Sequence, residues 1–266
     1  MTPETPETPG TRDIGELLAI AQRATREAAE LLRTARPEQI RGKSNAKDLV
    51  TEWDVRSEEL IRSILEPTGI GVLGEEQGGT RRGNTHWLVD PIDGTVNFTH
   101  GLPIWCVSIA LELDGELAVG VVHAPVLGWW FEATRGGGAR DGNGEALHVS
   151  ACDALDRALL ATGFPYDLSR GNNFAEWEHF QRAAMCRRLG SAALDLCLVA
   201  RGWFDGYWER NLSAWDVAAG ALIVVEAGGT VTDTRGNRFD PHSGEAVASN
   251  GAIHSGLITE LARVRT

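Results

Sequence analysis

The chain has 266 residues, of which 42% are hydrophobic and 23% are charged, and its formal net charge is −12. This composition is typical of a globular protein, and the length suffices for a sizeable core in one domain or in two closely packed halves. The acidic balance argues against nucleic-acid binding, which normally requires a basic face. It also implies that an anionic substrate needs a bound cation to invert the local field.

The cysteines and the N-terminal segment favour a cytoplasmic protein without membrane contact. Four cysteines show neither paired metal-ligand spacing nor the pattern of a small secreted fold, so we interpret them as reduced thiols: Cys106, Cys152, Cys186 and Cys197. Residues 1–10 repeat Thr-Pro-Glu and contain no apolar signal region, which predicts a disordered tail. No apolar run approaches the roughly 20 residues that span a bilayer.

The N-terminal half predicts two helices followed by a strand-rich region. Apolar residues at helical spacing indicate a helix over Asp13–Ala35 and a second from about Asp54 to Leu65, which ends before Pro67. Alternating or apolar runs then predict strands at 71–73, 87–89, 105–113, 117–123 and 129–133. The third and fourth strands form a hairpin that turns at Asp114–Gly115.

The C-terminal half alternates strands and helices. Strands are predicted at 159–162, 205–208 and 247–249, and helices at 174–185, 192–200, 216–227 and from about 255. No internal repeat or linker divides the chain, although a softer boundary lies near Ser150. We therefore predict a disordered tail over 1–10 and one domain over 11–266, built from layered α and β elements.

The segment Asp90–Phe98 is the most informative motif for chemistry. Asp90 and Asp93 flank Pro91, which fixes its own φ and keeps the preceding residue extended. Such a turn aims two carboxylates and a backbone carbonyl at one point, the oxygen set that Mg²⁺ prefers. Gly94 and Thr95 then open a short helix whose N–H groups favour an anion. Taken alone, the motif also fits an Asx-type turn that only caps a helix.

Three further turns carry acidic residues at the end of a strand or the start of a helix. They contain Glu75–Glu76, Asp216 and Asp54. Each has an ordinary interpretation by itself, because adjacent acids are often solvated and an acid at a helix start is an expected cap. The seven histidines are scattered, and His100 and His123 fit surface or core-edge positions better than metal ligation. The set of acidic turns is what indicates a site.

Three segments resemble the signatures of the inositol monophosphatase family in order and spacing: Gly74–Glu76, Asp90–Phe98 and Trp215–Gly229. The resemblance runs from about Asp13 to Leu261, and the pairing of Asp-Pro-Ile-Asp-Gly-Thr with Trp-Asp-Val-Ala-Ala-Gly is highly specific. It implies an α+β fold, a layered αβαβα sandwich with mixed and largely antiparallel sheets. It also implies a homodimeric, lithium-sensitive phosphoric monoester hydrolase of the bacterial inositol-1-monophosphatase type.

The resemblance implies a site for two or three Mg²⁺ ions. The implied ligands are Glu75, Asp90, the carbonyl oxygen of Ile92, Asp93 and Asp216. Asp90 would bridge two ions, and Glu75 would hold the activating ion. Metal ions neutralise the phosphate and lower the pKa of an attacking water, which suits the hydrolysis of a slow monoester.

The resemblance also implies catalytic and substrate-binding residues. Asp54 and Thr95 match the pair that positions the water, and Asp54 would take up its proton; with Glu75 they form the catalytic set. The implied substrate contacts are Glu75, Ile92, Asp93, Gly94, Thr95, Gly190, Ser191, Ala192, Glu209 and Asp216. Glu209 falls where the family places a carboxylate that accepts hydrogen bonds from sugar hydroxyls, although it also fits a solvated acid at a strand end.

Several functional alternatives remain open at this point. The expected substrate is inositol 1-phosphate or a similar small polyol or sugar phosphate. Fructose 1,6-bisphosphatase or histidinol-phosphatase activity is an alternative, because the segments 77–86 and 163–166 depart from the family where substrate-facing loops vary. A third reading is a protein-binding regulator of transcription or RNA processing, a role known among bacterial relatives. The intact set of acids argues against the loss of chemistry.

Overall fold

A computed structural model describes residues 13–43, 45, 48–79, 81, 83–166 and 172–264 of the chain. The expected tail over 1–10 lies outside the described residues, as do positions 80 and 82 of the segment 77–86. The helices are α1 (Ile14–Arg33), α2 (Glu52–Leu65), α3 (Thr95–Thr99), α4 (Phe174–Ala183), α5 (Ala192–Ala200), α6 (Ala214–Glu226) and α7 (His254–Val264). The strands are β1 (Ile40–Gly42), β2 (Leu49–Thr51), β3 (Gly71–Gly74), β4 (His86–Asp93), β5 (Cys106–Leu113), β6 (Glu116–Ala124), β7 (Trp129–Thr134), β8 (Gly138–Asp141), β9 (Leu159–Thr162), β10 (Met185–Arg187), β11 (Gly206–Arg210), β12 (Thr230–Thr232) and β13 (Glu245–Ser249).

The first half of the chain forms a six-stranded sheet with two helices on its outer face. The strand order is β3-β4-β5-β6-β7-β8, in which β3 and β4 are parallel and the other neighbours are antiparallel. Successive side chains of a strand point to opposite faces, so Trp87 and Val89 pack with α1 and α2. Leu88 points to the other face, towards α5 and α6.

Helices α5 and α6 form the middle layer of the molecule. Their sequences are apolar on every side because both faces of the layer are covered, by the six-stranded sheet and by a second sheet. Every residue of α5 is buried, including Asp195. This burial explains why the hydrophobic run at 192–200 shows no polar stripe.

The second half forms a five-stranded sheet with an outer helical layer. Its order is β10-β9-β11-β13-β12, with parallel pairs around β9 and antiparallel pairs around β13. Tyr207 faces the middle layer, whereas its neighbour Trp208 packs with α4 and α7 on the opposite face. The layers therefore run helix, sheet, helix, sheet, helix, which confirms the predicted α+β sandwich.

Most predicted elements are present, and the differences have local causes. The helix at 192–200 and the strand at 159–162 match their predicted bounds. The helix predicted at 174–185 ends at Ala183, because residues from Met185 pair with β9 as the edge strand β10. Strands β1, β2, β8, β10 and β12 were not predicted. Each has only three or four residues, and they lack the apolar run that marked β3 and β9.

Two further features of the structure concern the cysteines and the length of the helices. All four cysteines are unpaired, as expected for reduced thiols. Within the described ranges, every helix is too short or too polar to cross a lipid bilayer.

Candidate active site

One cavity of about 370 Å³ gathers nearly all of the predicted site residues. It opens where β4 ends and α3 begins, between the two sheets. The predicted residues that line it are Glu75, Asp90, Ile92, Asp93, Gly94, Thr95, Gly190, Ser191, Ala192, Glu209 and Asp216. Asp54 is fully buried behind the wall and reaches the cavity through Thr95.

The turn between β4 and α3 holds the central carboxylates. The ladder with β5 is irregular between Asp90 and Asp93. The sequence predicted that the strand ends before Asp90, whereas β4 continues through Asp93. The carboxylate of Asp90 accepts a hydrogen bond from the backbone N–H of Ile92 at 3.0 Å. Gly94 has φ of 99°, and a Cβ there would lie 3.0 Å from the carbonyl oxygen of Ile104. Glycine is therefore strongly favoured where the chain reverses into α3.

Asp93 ties this turn to the middle helical layer. Its Oδ2 accepts hydrogen bonds from the Ser191 hydroxyl at 2.6 Å and from the Ala193 backbone N–H at 2.7 Å. Both donors lie at the start of α5, where Ser191 is the N-cap. A carboxylate is stabilised at a helix N-terminus by the unpaired N–H groups and the helix dipole. This contact places the segment 190–192 beside the acidic turn.

Glu75 follows β3, and its turn is held by a residue that the sequence analysis missed. Glu58 of α2 is buried and accepts hydrogen bonds from the backbone N–H groups of Glu76 at 2.7 Å and Gln77 at 3.1 Å. Gly74 is required here, because a Cβ on it would lie 2.3 Å from a carboxylate oxygen of Glu58. The turn thus depends on a buried acid of the same helix that carries Asp54.

The ammonium group of Lys43 contacts the same turn and was also not predicted. It lies 2.8 Å from Glu75 and forms a second ion pair with Glu76. Burial opposes the charge on Lys43, but the two glutamates outweigh it and raise the pKa of the amine. Burial, followed by the nearby charge of Glu75, raises the pKa of Glu76 to about 7.

Asp216 is held by the first turn of α6. Ser213 is the N-cap of this helix. The carboxylate of Asp216, at the third helical position, accepts a hydrogen bond from the backbone N–H of Ser213 at 2.7 Å. The expectation that Asp216 itself caps the helix is therefore replaced by a reciprocal capping box. Thr51 and Asp54 form the same arrangement at the start of α2, so Asp54 is not the cap either.

The electrostatics of the cavity favour a bound cation. Burial, together with the charges of Glu75 and the neighbouring aspartates, raises the pKa values of Asp90 and Asp216 well above their usual range. Burial raises the pKa of Asp93 to about 6, despite its hydrogen bonds from α5. Several carboxylates that are hard to ionise together mark a site where a divalent ion relieves the repulsion. The donor atoms are oxygens throughout, which suits a hard cation such as Mg²⁺.

Asp54 and Thr95 form a hydrogen-bonded pair beside the acidic turn. The Thr95 hydroxyl lies 3.1 Å from Asp54 Oδ1 and 3.1 Å from the carbonyl oxygen of Ile92. The other oxygen of Asp54 accepts hydrogen bonds from the backbone N–H and hydroxyl of Thr51, at 2.8 and 2.6 Å. Burial raises the pKa of Asp54, although the bonds from Thr51 oppose the shift. A carboxylate held in this way is positioned to accept a proton through the hydroxyl.

The opposite wall of the cavity carries Glu209 on β11. Glu209 is only 9% exposed, and its carboxylate accepts a hydrogen bond from the Tyr207 hydroxyl at 2.7 Å. Burial raises its pKa to about 7. Gly163 makes room for this group, since a Cβ there would lie 2.1 Å from one of its oxygens. The position is buried and constrained, unlike the solvated strand-end acid that was the alternative.

Asp195 lies beside Glu209 and was missed by the sequence analysis. It is 1% exposed, and its Oδ1 has no hydrogen-bond partner among the described residues. Burial, followed by the charges of Glu209 and Asp93, raises its pKa well above the usual range. An acid within the otherwise apolar run of α5 was the available signal, because a buried charged residue is rare without a role or partner.

Comparisons with known proteins agree with this geometry. The inositol monophosphatase family model matches residues 13–266. An inositol-1-monophosphatase of Caulobacter vibrioides is 41% identical over 229 residues, covering 82% of this chain and 89% of that protein. The protein of Pseudomonas aeruginosa named Nus factor SuhB is 42% identical over 260 residues, covering 92% and 95%.

A solved structure of an inositol monophosphatase has the same fold as this chain. The inositol monophosphatase from Anabaena superposes with a TM-score of 0.86 at 36% identity, covering 95% of this chain and 97% of that one. The family consists of metal-dependent phosphatases that act on small phosphorylated substrates. With its layered fold, its cluster of buried carboxylates and a match over almost its whole length, the chain belongs to the inositol monophosphatase family.

Proposed function

We propose that the chain is a Mg²⁺-dependent phosphomonoesterase whose substrate is inositol 1-phosphate or a closely similar polyol phosphate. The proposal rests on one observation above the others, the convergence of Glu75, Asp90, Asp93 and Asp216 on a single cavity. Glu209 on the opposite wall supports the substrate class, because a buried carboxylate suits the hydroxyls of a ring.

The oxygen ligands would hold two or three Mg²⁺ ions. They are the carboxylates of Glu75, Asp90, Asp93 and Asp216 and the carbonyl oxygen of Ile92. When bound, Mg²⁺ neutralises the phosphate and lowers the pKa of the attacking water. By the family resemblance, Asp90 would contribute its carboxylate to two of these ions.

The Asp54–Thr95 pair would remove the proton of that water. Thr95 donates its hydroxyl hydrogen to Asp54 and accepts the proton of water through a lone pair, so the proton passes to the carboxylate. The water oxygen attacks phosphorus as the ester P–O bond breaks. The departing alkoxide takes a proton from solvent to become the alcohol, and Asp54 returns its proton to solvent. Gly94 and Thr95 would bind the phosphate, while Gly190, Ser191 and Ala192 border the polyol.

Phosphate release from a panel of substrates tests the proposal. Inositol 1-phosphate, fructose 1,6-bisphosphate and histidinol phosphate are compared with Mg²⁺, with a chelator and with added Li⁺. We expect Mg²⁺-dependent turnover that is highest with inositol 1-phosphate and is inhibited by Li⁺. Turnover of that substrate far below the others would overturn the substrate assignment, and unchanged activity after chelation would overturn the metal scheme.

Two variants locate the activity in the proposed site. Asp93→Asn is expected to lower kcat by orders of magnitude without loss of the fold, because it removes both a ligand and a negative charge. Asp153→Asn is the matched control, since its side chain is 74% exposed and lies outside the cavity. Equal activity of the two variants would refute the role of Asp93.

A second function is supported by the similarity to the Pseudomonas aeruginosa Nus factor SuhB. The chain would then also bind a protein partner in transcription or RNA processing. Asp90→Asn separates the two roles. If the cellular phenotype of the protein is retained after this substitution, partner binding is favoured; if the phenotype is lost, catalysis is favoured.

We further propose a cytoplasmic homodimer, to be checked by light scattering and cell fractionation. A monomeric mass or a membrane-bound fraction would contradict it.

A further inference from the structure

Three side chains of metal-ligand type meet at the end of β4 remote from the candidate active site. His86 begins β4 and pairs directly with Glu112 on β5. His242 lies in a 3-10 turn at Pro241–Ser243, just before β13. The eight residues of β4 place His86 about 23 Å from Asp93, so the two clusters are separate.

The two imidazoles of this cluster converge on one oxygen of the Glu112 carboxylate. Nε2 of His86 lies 2.7 Å from Glu112 Oε2, and Nε2 of His242 lies 2.8 Å from the same oxygen. All three ligand atoms are within 4.8 Å of one another. Ligands at zinc distances in a tetrahedral site are separated by about 3.3 Å. An opening of about half an ångström would therefore admit the ion.

His86 is buried, and its short contact with Glu112 lacks the alignment of a good hydrogen bond. It is 2% exposed, and neither ring nitrogen makes a hydrogen bond of acceptable geometry within the described part of the chain. A buried polar group without a partner is costly, so such a group calls for an explanation such as an ion. Burial also lowers the pKa of His86, which keeps the lone pair available to a metal.

The surroundings leave a route to the cluster. The side chain of His242 is 18% exposed, whereas those of His86 and Glu112 are buried. The Arg81 guanidinium lies 4.0 Å from Oε1 of Glu112. Both imidazoles face the other oxygen, Oε2, so the arginine and an ion would use different oxygens.

We propose that His86, Glu112 and His242 form a Zn²⁺ site distinct from the carboxylate site, with water as the fourth ligand. Two imidazoles and one carboxylate are a recurrent ligand set for Zn²⁺, and imidazole nitrogen selects it over Mg²⁺. The ion clamps the β4–β5 pair of the first sheet to the turn that precedes β13 in the second. Its proposed effect is on stability, because it joins the two sheets and the predicted catalytic acids lie at the other end of β4.

Zinc titration of the full chain with Mg²⁺ in excess tests this site by calorimetry. We expect one Zn²⁺ to bind the original protein, and His242→Ala to weaken binding by at least about 100-fold, since even outer-shell partners of metal ligands contribute 10–100-fold. His148→Ala is the matched control because His148 is exposed and lies outside the cluster. Asp90→Asn is the second control, and it is expected to retain the Zn²⁺ site.

Thermal unfolding supplies a readout that is independent of activity. At 100 times the dissociation constant, Zn²⁺ is expected to raise Tm by about 5–10 °C, and this shift is expected to vanish in His242→Ala. His242 is chosen for substitution because its side chain is partly exposed, so His242→Ala is compatible with folding. A substitution of the buried His86 could unfold the protein. The proposal is overturned by the absence of Zn²⁺ binding, by unchanged binding in His242→Ala, or by its loss in Asp90→Asn.

Discussion

Gly163→Ala gives the sharpest test of how the cavity selects its substrate. A Cβ at this position would lie 2.1, 2.2 and 2.3 Å from Oε2, Oε1 and Cδ of Glu209, whereas ordinary contacts begin at 3.4 Å. The carboxylate must therefore move by about 1.3 Å. That movement breaks its alignment with the Tyr207 hydroxyl, which now lies at 2.7 Å.

The expected loss follows from the hydrogen bonds that Glu209 is proposed to accept from the polyol. A hydrogen bond to a charged group contributes about 1.5–3 kcal/mol, and 1.36 kcal/mol corresponds to a factor of ten. Gly163→Ala should thus lower kcat/KM for inositol 1-phosphate by about 10- to 150-fold. The metal ligands are untouched, so p-nitrophenyl phosphate, which lacks ring hydroxyls, should lose little.

The assay compares kcat/KM for these two substrates at saturating Mg²⁺. Gly71→Ala is the matched control, because a Cβ there has nothing within 4 Å. Glu209→Gln should reproduce the selective loss. The reasoning is refuted if both substrates lose activity equally in Gly163→Ala, or if Glu209→Gln is selective and Gly163→Ala is not.

Three further predictions concern the acidic side of the cavity. Glu58→Gln should raise the Mg²⁺ concentration for half-maximal activity by about 10–100-fold, because Glu58 holds the turn that carries Glu75; an unchanged Mg²⁺ dependence would exclude this role. Gly94→Ala should lower the free energy of unfolding in urea by about 1–3 kcal/mol, since φ is 99° there, and a neutral result would contradict the strain. The pKa of Asp93 is raised from 3.8 to about 6, so the folded form binds the extra proton. The metal-free protein should therefore lose stability as pH rises from about 4 to 7, Mg²⁺ should offset the loss, and a Tm in chelator that rises over this range would contradict the sign.

The sequence alone was sufficient wherever the determining contacts are local. The turn from Asp90 to Gly94 depends on a proline, a glycine and two acids within five positions, and its shape follows from backbone sterics. The helix at 192–200 has the predicted bounds because its apolar run is bordered by an N-cap serine. Fold class followed from the alternation of such elements and from the family resemblance.

Contacts between distant segments were decided only by the tertiary structure. Nothing near Gly163 in the sequence indicates that a carboxylate 46 positions later needs the space of its missing Cβ. By its sequence, Glu58 resembles a surface acid of an amphipathic helix. Only in the folded protein does the turn that follows β3 lie against its carboxylate. Short edge strands such as β10 exist only because a neighbour supplies hydrogen bonds, so they leave no period in the sequence.

The histidines show the same limit most clearly. Along the chain they are scattered, and His86 and His242 are separated by more than half of its length. Sheet register places His86 opposite Glu112, and the packing of the second sheet on the first brings His242 to the same oxygen. Local sequence thus determined which turns and helices form, whereas packing determined which of their side chains meet, because that depends on layers assembled from both halves of the chain.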